Sequence, residues 1–135
     1  MDLQKAMMTS ASGLRAQSIR MRVISENIAN SDSVATGPGA DPYRRKLVTF
    51  KSELDRELGV ETVEANDIQF DRSDFGQRYD PGNPAADAAG YIKTTNVNGL
   101  IEAMDMQQAQ RTYQSNLNAL EGSRRMATLT LELLR

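Results

Sequence analysis

The acidic side chains Asp71, Asp74 and Asp80 fall within one short run, DRSDFGQRYDPG (71–82). Carboxylates so spaced could hold a cation or divide acid and base duties. A calcium loop needs oxygen ligands at its first, third and fifth positions and a glutamate at its twelfth. Asp71 and Ser73 satisfy the first two requirements, but Phe75 and Gly82 occupy the others, and the run reads as a solvated turn. A hydrolase built on paired carboxylates would need an apolar cleft, and a composition 39% hydrophobic and 5% aromatic supplies little to line one. Histidine and cysteine are both absent, which removes imidazole acid–base chemistry, thiol nucleophiles, Ser-His-Asp triads and Cys/His zinc sites. The GPG turn (37–39) has neither the lysine nor the spacing of a phosphate loop. The expectation is a protein with no catalytic residue, no cofactor and no metal.

Basic chemistry is equally thin. Arg44-Arg45-Lys46 is the densest cationic run, and three charges beside a strand read as a solvated edge rather than a nucleic-acid surface. The net charge of −2 is distributed as +2 over residues 1–30, −4 over 31–98 and zero over 99–135. No apolar run approaches the length of a membrane span, and MDLQKAMMTS carries no hydrophobic leader core. Export, if it occurs, is expected to use a route without a cleaved signal.

The remaining polar residues of note are asparagines. SENIANSDS (25–33) carries Asn27 and Asn30, and TNVNG (95–99) carries Asn96 and Asn98. Asparagine tolerates the left-handed conformation that closes helices, and it is a favoured first cap. Asn30 is therefore expected to close a helix, Asn27 to bridge helices, and Asn96 and Asn98 to lie at the start of another.

The helices that these residues would punctuate are legible as heptads. A 4–3 step from Leu3 meets Met7, Ser10, Leu14, Gln17, Met21, Ile24 and Ile28. A second series runs Ala103, Met106, Gln110, Tyr113, Leu117, Leu120, Arg124, Ala127, Leu131 and Leu134. A 3.5-residue repeat predicts a coiled-coil seam. Leu14, Met21, Ile24, Ile28, Tyr113, Leu117, Leu120 and Leu131 are its expected intra-subunit contacts. Each helix also carries another apolar line: Ser12, Ala16, Ile19 and Val23 on the first, and Gly122, Met126, Leu129 and Leu133 on the last. The middle of the chain could fold over these lines, or neighbouring subunits could cover them. The polar middle favours neighbours, with Ile19, Val23, Met126, Leu129 and Leu133 as inter-subunit contacts. Arg15, Arg20, Arg22, Glu102, Asp105 and Glu121 are candidates for polar contacts fixing register.

Between the helices, LVTF (47–50), GVETVEANDIQF (59–70) and YIKT (91–94) read as strands, and KSELDREL (51–58) either extends the first or turns helical. SDSVATGPGADP (31–42) and RYDPGNPAADAAG (78–90) are turn-rich. The expected fold is mainly α with a small β insertion. Residues 1–30 and 97–135 form paired terminal helices, and 31–96 form an inserted loop and β segment.

SENIANSDS resembles the asparagine-containing signature that follows the N-terminal helix of bacterial flagellar axial proteins. GADPYRRK (39–46), YDPGNPAADAAGYIKTTNVN (79–98) and QAQRTYQSNLNALEGSRRM (108–126) sharpen that resemblance to the FlgC type of flagellar basal-body rod protein. SDSVATGPG lacks the Thr-Pro-Gly-Tyr form usual in other rod proteins, and Thr95 and Gly99 stand where other residues are common. The resemblance implies a non-enzymatic subunit of the proximal rod. It further implies export through the flagellar type III apparatus, and assembly in the periplasm with other rod proteins and copies of itself. Neither nucleic acid binding nor membrane insertion is expected. A soluble helical-bundle adaptor or export regulator is the alternative.

Overall fold

The computed structural model describes residues 2–56 and 59–134. Glu57 and Leu58, which end the KSELDREL run, lie outside the described residues, as do Met1 and Arg135. Helix α1 spans Leu3–Ala29 and helix α2 spans Gly99–Leu133. Between them lie strands β1 (Lys46–Asp55), β2 (Val60–Phe70), β3 (Gly76–Tyr79) and β4 (Tyr91–Thr94). β1 pairs with β2 and β3 with β4, in two separate two-stranded sheets. The β part is thus larger than the sequence reading allowed, and KSEL continues β1 as strand.

Side chains fix where the helices begin and end. Asp2 Oδ1 accepts from the N–H groups of Gln4 and Lys5, which have no partner within the first turn of α1. At the other end Asn30 donates its N–H and its side-chain amide to the Glu26 carbonyl, at 3.2 and 2.8 Å. Asn98 Oδ1 accepts from Leu100 and Ile101 at the start of α2, at 3.1 and 3.4 Å. Among the described residues no helix is long and apolar enough to cross a membrane.

The chain divides into two compact units. One comprises Met1–Met21, Val48–Asp67 and Gln107–Arg135; the other comprises Arg22–Leu47 and Ile68–Met106. In the first, Gly13 of α1 faces Asn116 of α2 so closely that an added Cβ would sit 2.6 Å from the Asn116 amide nitrogen. The Ser12 hydroxyl accepts from the Val63 N–H at 3.2 Å, which fastens β2 to α1. Ser12 and Ala16 are both buried within the single chain. Neighbouring subunits are not needed to cover that part of the apolar line.

In the second unit a small core of Ala35, Ala85 and Ile92 is flanked by Val34 and Ala86. β3 and β4 run antiparallel, pairing Gly76 with Thr94 and Tyr79 with Tyr91. The two tyrosine rings meet edge to face at 5.3 Å. Gly90, at φ +85°, turns the chain into β4 where a Cβ would lie 2.8 Å from the Tyr79 ring. Asp87 Oδ1 accepts from the N–H groups of Ala89 and Tyr91, both at 2.9 Å, and so holds that turn.

Candidate functional site

The densest polar constellation lies in the second unit and centres on Asn27. This side chain is 1% exposed, and every donor and acceptor it possesses is used. Its amide nitrogen donates to the Lys46 carbonyl at 2.9 Å and to Glu102 Oε2 at 3.0 Å. Its oxygen accepts from the Tyr43 hydroxyl at 2.8 Å and from the Lys46 N–H at 3.0 Å. A side chain near the end of α1 thereby ties together the start of β1 and the first turns of α2.

Glu102 is likewise 1% exposed. A carboxylate there is tolerable only with a charge partner and further hydrogen bonds, since desolvating it alone would be costly. Its other oxygen is bonded by Arg45 Nε. The same guanidinium reaches Asp71 Oδ2 and Asp105 Oδ2, both at 3.4 Å. Three carboxylates therefore converge on one arginine, whose planar fork can serve several acceptors at once. The first turn of α2 is also where a negative charge is favoured by the helix dipole.

Asn96 closes the arrangement from the loop before α2. Its oxygen accepts from the Arg45 N–H at 2.7 Å, and its nitrogen donates to the Asp71 and Ser73 carbonyls and the Ser73 hydroxyl. Arg44 donates to the same two carbonyls and stacks over the Phe75 ring at 4.1 Å. Lys46 pairs with Glu26 at 2.9 Å. Hydrogen bonds from the Ser73 N–H and hydroxyl, and then Arg45, hold the Asp71 carboxyl below its usual range. The Lys46 hydrogen bond and charge do the same for Glu26. Burial raises the Tyr43 hydroxyl above its ordinary value. Each ionised group thus has a stated partner, and the constellation is built to fasten segments rather than to activate a substrate.

Arg44-Arg45-Lys46, expected to be a solvated edge, are instead all engaged in the junction, because the fold brings carbonyls and carboxylates to each of them. Tyr43, Arg45 and Asp71 were missed as a group. Their separations in sequence, such as 26 residues between Arg45 and Asp71, leave no local signal. Glu102 and Asp105 do meet polar partners, whereas the Asp71–Asp80 run forms no common site: Asp71 faces Arg45 and Asp80 lies beside Arg78.

The apolar candidates are placed as follows. Ile24 is buried; Leu14, Met21, Tyr113, Leu117 and Leu120 are half-buried. Ile28 and Leu131 lie exposed on the final turns of their helices, outside any seam that the single chain closes. Val23, expected to pack between subunits, is 2% exposed within the single chain, so its apolar surface is already covered there. Ile19 is half-buried and lines a cleft of about 440 Å³ between α1 and the β1–β2 hairpin. Met126, Leu129 and Leu133 are exposed, the last two by 52% and 88%.

Comparison with known proteins gives this arrangement a family. The family model described as flagella basal body rod protein matches residues 7–37, which include Asn27 and Asn30. A second, the C-terminal region of flagellar basal body rod FlgEFG proteins, matches residues 88–133, which include Asn96, Asn98 and Glu102. The flagellar basal-body rod protein FlgC of Agrobacterium fabrum is 51% identical over 133 residues, covering 98% of this chain and 96% of that protein. FlgC of Escherichia coli O6:H1 is 39% identical over 124 residues, covering 92% of each. FlgC of Bacillus subtilis is 36% identical over 140 aligned residues, covering 92% of this chain and 93% of that protein. With relatives this similar over nearly its whole length, the chain belongs to the FlgC family of flagellar basal-body rod proteins, which are structural proteins and not enzymes.

Proposed function

We infer that this chain is a subunit of the proximal part of the flagellar rod. It polymerises helically with copies of itself and with other rod proteins, and the array carries torque from motor to hook. The observation that carries this reading is the exposed apolar end of α2, where Met126, Leu129, Leu131, Leu133 and Leu134 all face solvent in the single chain. Apolar side chains this exposed at one helix end are unfavourable in water and mark a surface that a partner covers. Residues 1–30 and 97–135 take the inner position, with Leu14, Met21, Ile24, Tyr113, Leu117 and Leu120 holding the two helices as a coiled coil. Residues 31–96 face outward, and Met126, Leu129 and Leu133 pack between subunits. The subunit passes through the flagellar type III export apparatus and assembles in the periplasm. The polar junction around Asn27 serves this role by fixing both helices to the β segment, so that load is shared by a defined set of bonds.

The test is genetic and biochemical. Deleting the gene from the parent bacterium should abolish swimming, and a tagged copy should restore it and co-purify with basal bodies. Swimming without the gene would contradict this reading, as would a restored strain whose basal bodies lack the tag.

A further inference from the structure

The cleft between α1 and the β1–β2 hairpin and the exposed end of α2 match one another. The cleft runs along α1 from Met8 to Ile19, with Ala11 and Ala16 on its α1 wall and Val63, Glu64 and Ala65 on the hairpin wall. Eleven residue steps of helix amount to about 16 Å. The α2 face carries half-buried Gly122 and exposed Arg125, Met126, Leu129 and Leu133, the same eleven steps at i, i+3, i+4, i+7 and i+11. Residues so spaced share one side of a helix. Gly122 has no atom within 4 Å of where its Cβ would be, so a second backbone could approach there.

Charge complements shape. Arg15, Asp55 and Glu64 line the cleft, and the Glu64 carboxyl lies against that of Glu53. Two like charges so placed repel, and a cation arriving beside them relieves this. The α2 face brings Arg125 to that wall. Among the described residues, Arg125 belongs to no ion pair within the chain.

We propose that the end of α2 from one copy of this chain docks, Leu129 and Leu133 inward, in the cleft between α1 and the β1–β2 hairpin of a second copy. This rests on the rod reading and names its surfaces. Donor and acceptor surfaces differ, so the contact is heterologous and propagates an open helical array rather than closing a dimer.

The chain contains no cysteine, which makes disulfide trapping clean. Two differently tagged copies are co-expressed in the deletion strain, one carrying Ala65→Cys and the other Leu129→Cys, and purified basal bodies are mildly oxidised. A disulfide-linked species bearing both tags is expected, and it should be missing when either cysteine is absent. Recovery of both copies in basal bodies without that species, or a link from position 65 to a different protein, would overturn the proposal. Recovery of neither copy would overturn the rod reading, and the proposal with it. Charge reversal gives an independent readout that does not depend on cysteine geometry. Arg125→Glu should lose swimming, and adding Glu64→Lys should restore it; failure of the pair to restore swimming beyond the single variant would count against the docking.

Discussion

Asn27 on α1 donates its side-chain amide to Glu102 on α2 at 3.0 Å, across 75 residues of sequence. Both side chains are all but inaccessible to water. A buried amide with all four hydrogen-bonding positions filled is a stringent arrangement, because any change leaves partners unpaired. Asn27→Ala should destabilise the protein by about 2–3 kcal/mol. Asn27→Asp should cost more at neutral pH, since it replaces a donor with a second carboxylate beside Glu102. Urea unfolding followed by circular dichroism gives the order of the two variants, and an aspartate variant as stable as wild type would refute the assigned bonding.

Arg45 neutralises Glu102 in a place where water cannot. Arg45→Met should cost about 3–5 kcal/mol, because it strands a buried charge. The double variant Arg45→Met with Glu102→Leu should lose less than Arg45→Met alone, since it removes the stranded charge together with its partner. Arg45→Lys keeps the charge but not the fork, and should fall between wild type and Arg45→Met. Equilibrium unfolding of wild type and the three variants checks this order, and a double variant less stable than Arg45→Met alone would contradict it.

Two glycines should behave oppositely. At Gly90, alanine meets both a positive φ and the Tyr79 ring, with a Cβ at 2.8 Å, and should cost about 1–3 kcal/mol. At Gly37 the space is open and φ is ordinary, and alanine should be neutral or slightly stabilising. Thermal melts of the two variants are sufficient to compare them.

The two units should answer acid in opposite ways. Asp71 and Glu26 have carboxyls held below their usual 3.8 and 4.5, so their contributions are complete above those values and fade only as pH falls beneath them. Glu64 is raised above its usual 4.5 by its hydrogen bond and like charge with Glu53. Its contribution is complete below 4.5 and is lost as pH rises through the folded value. Acidification from neutrality toward 4.5 should therefore tighten residues 48–56 and 60–67 before a further fall loosens the junction around Asp71. Hydrogen exchange, corrected for the intrinsic effect of pH, should show increased protection first in the β1–β2 hairpin. Uniform loss of protection in both units would contradict the assignment.

Both long helices and their asparagine stops were legible in the sequence because heptad spacing and caps are local signals, carried by residues a few positions apart. YIKT and LVTF were equally legible as short apolar strands. β3 was not: GQRY has no strand pattern of its own and is strand because Tyr79 packs on Tyr91 and its backbone pairs with β4. The junction was invisible for a related reason. Arg45 looks like any surface arginine until the fold brings Asp71, Glu102 and Asp105 to it from up to 60 residues away. Composition also misjudged what covers Ser12 and Ala16. Both are buried within the single chain, and the Ser12 hydroxyl meets the polar hairpin at the Val63 N–H, a contact that no local pattern announces.

The central claim is that this chain acts by packing the exposed end of α2 against other subunits. The measurement that tests it most directly is paired: swimming of a strain carrying Leu129→Asp with Leu133→Asp, and circular dichroism of the purified variant. Substitutions at side chains exposed by 52% and 88% should leave helix content and melting temperature close to wild type, while swimming is lost and the chain disappears from basal bodies. A strain that swims normally, with the doubly substituted chain incorporated in its basal bodies, would contradict the account.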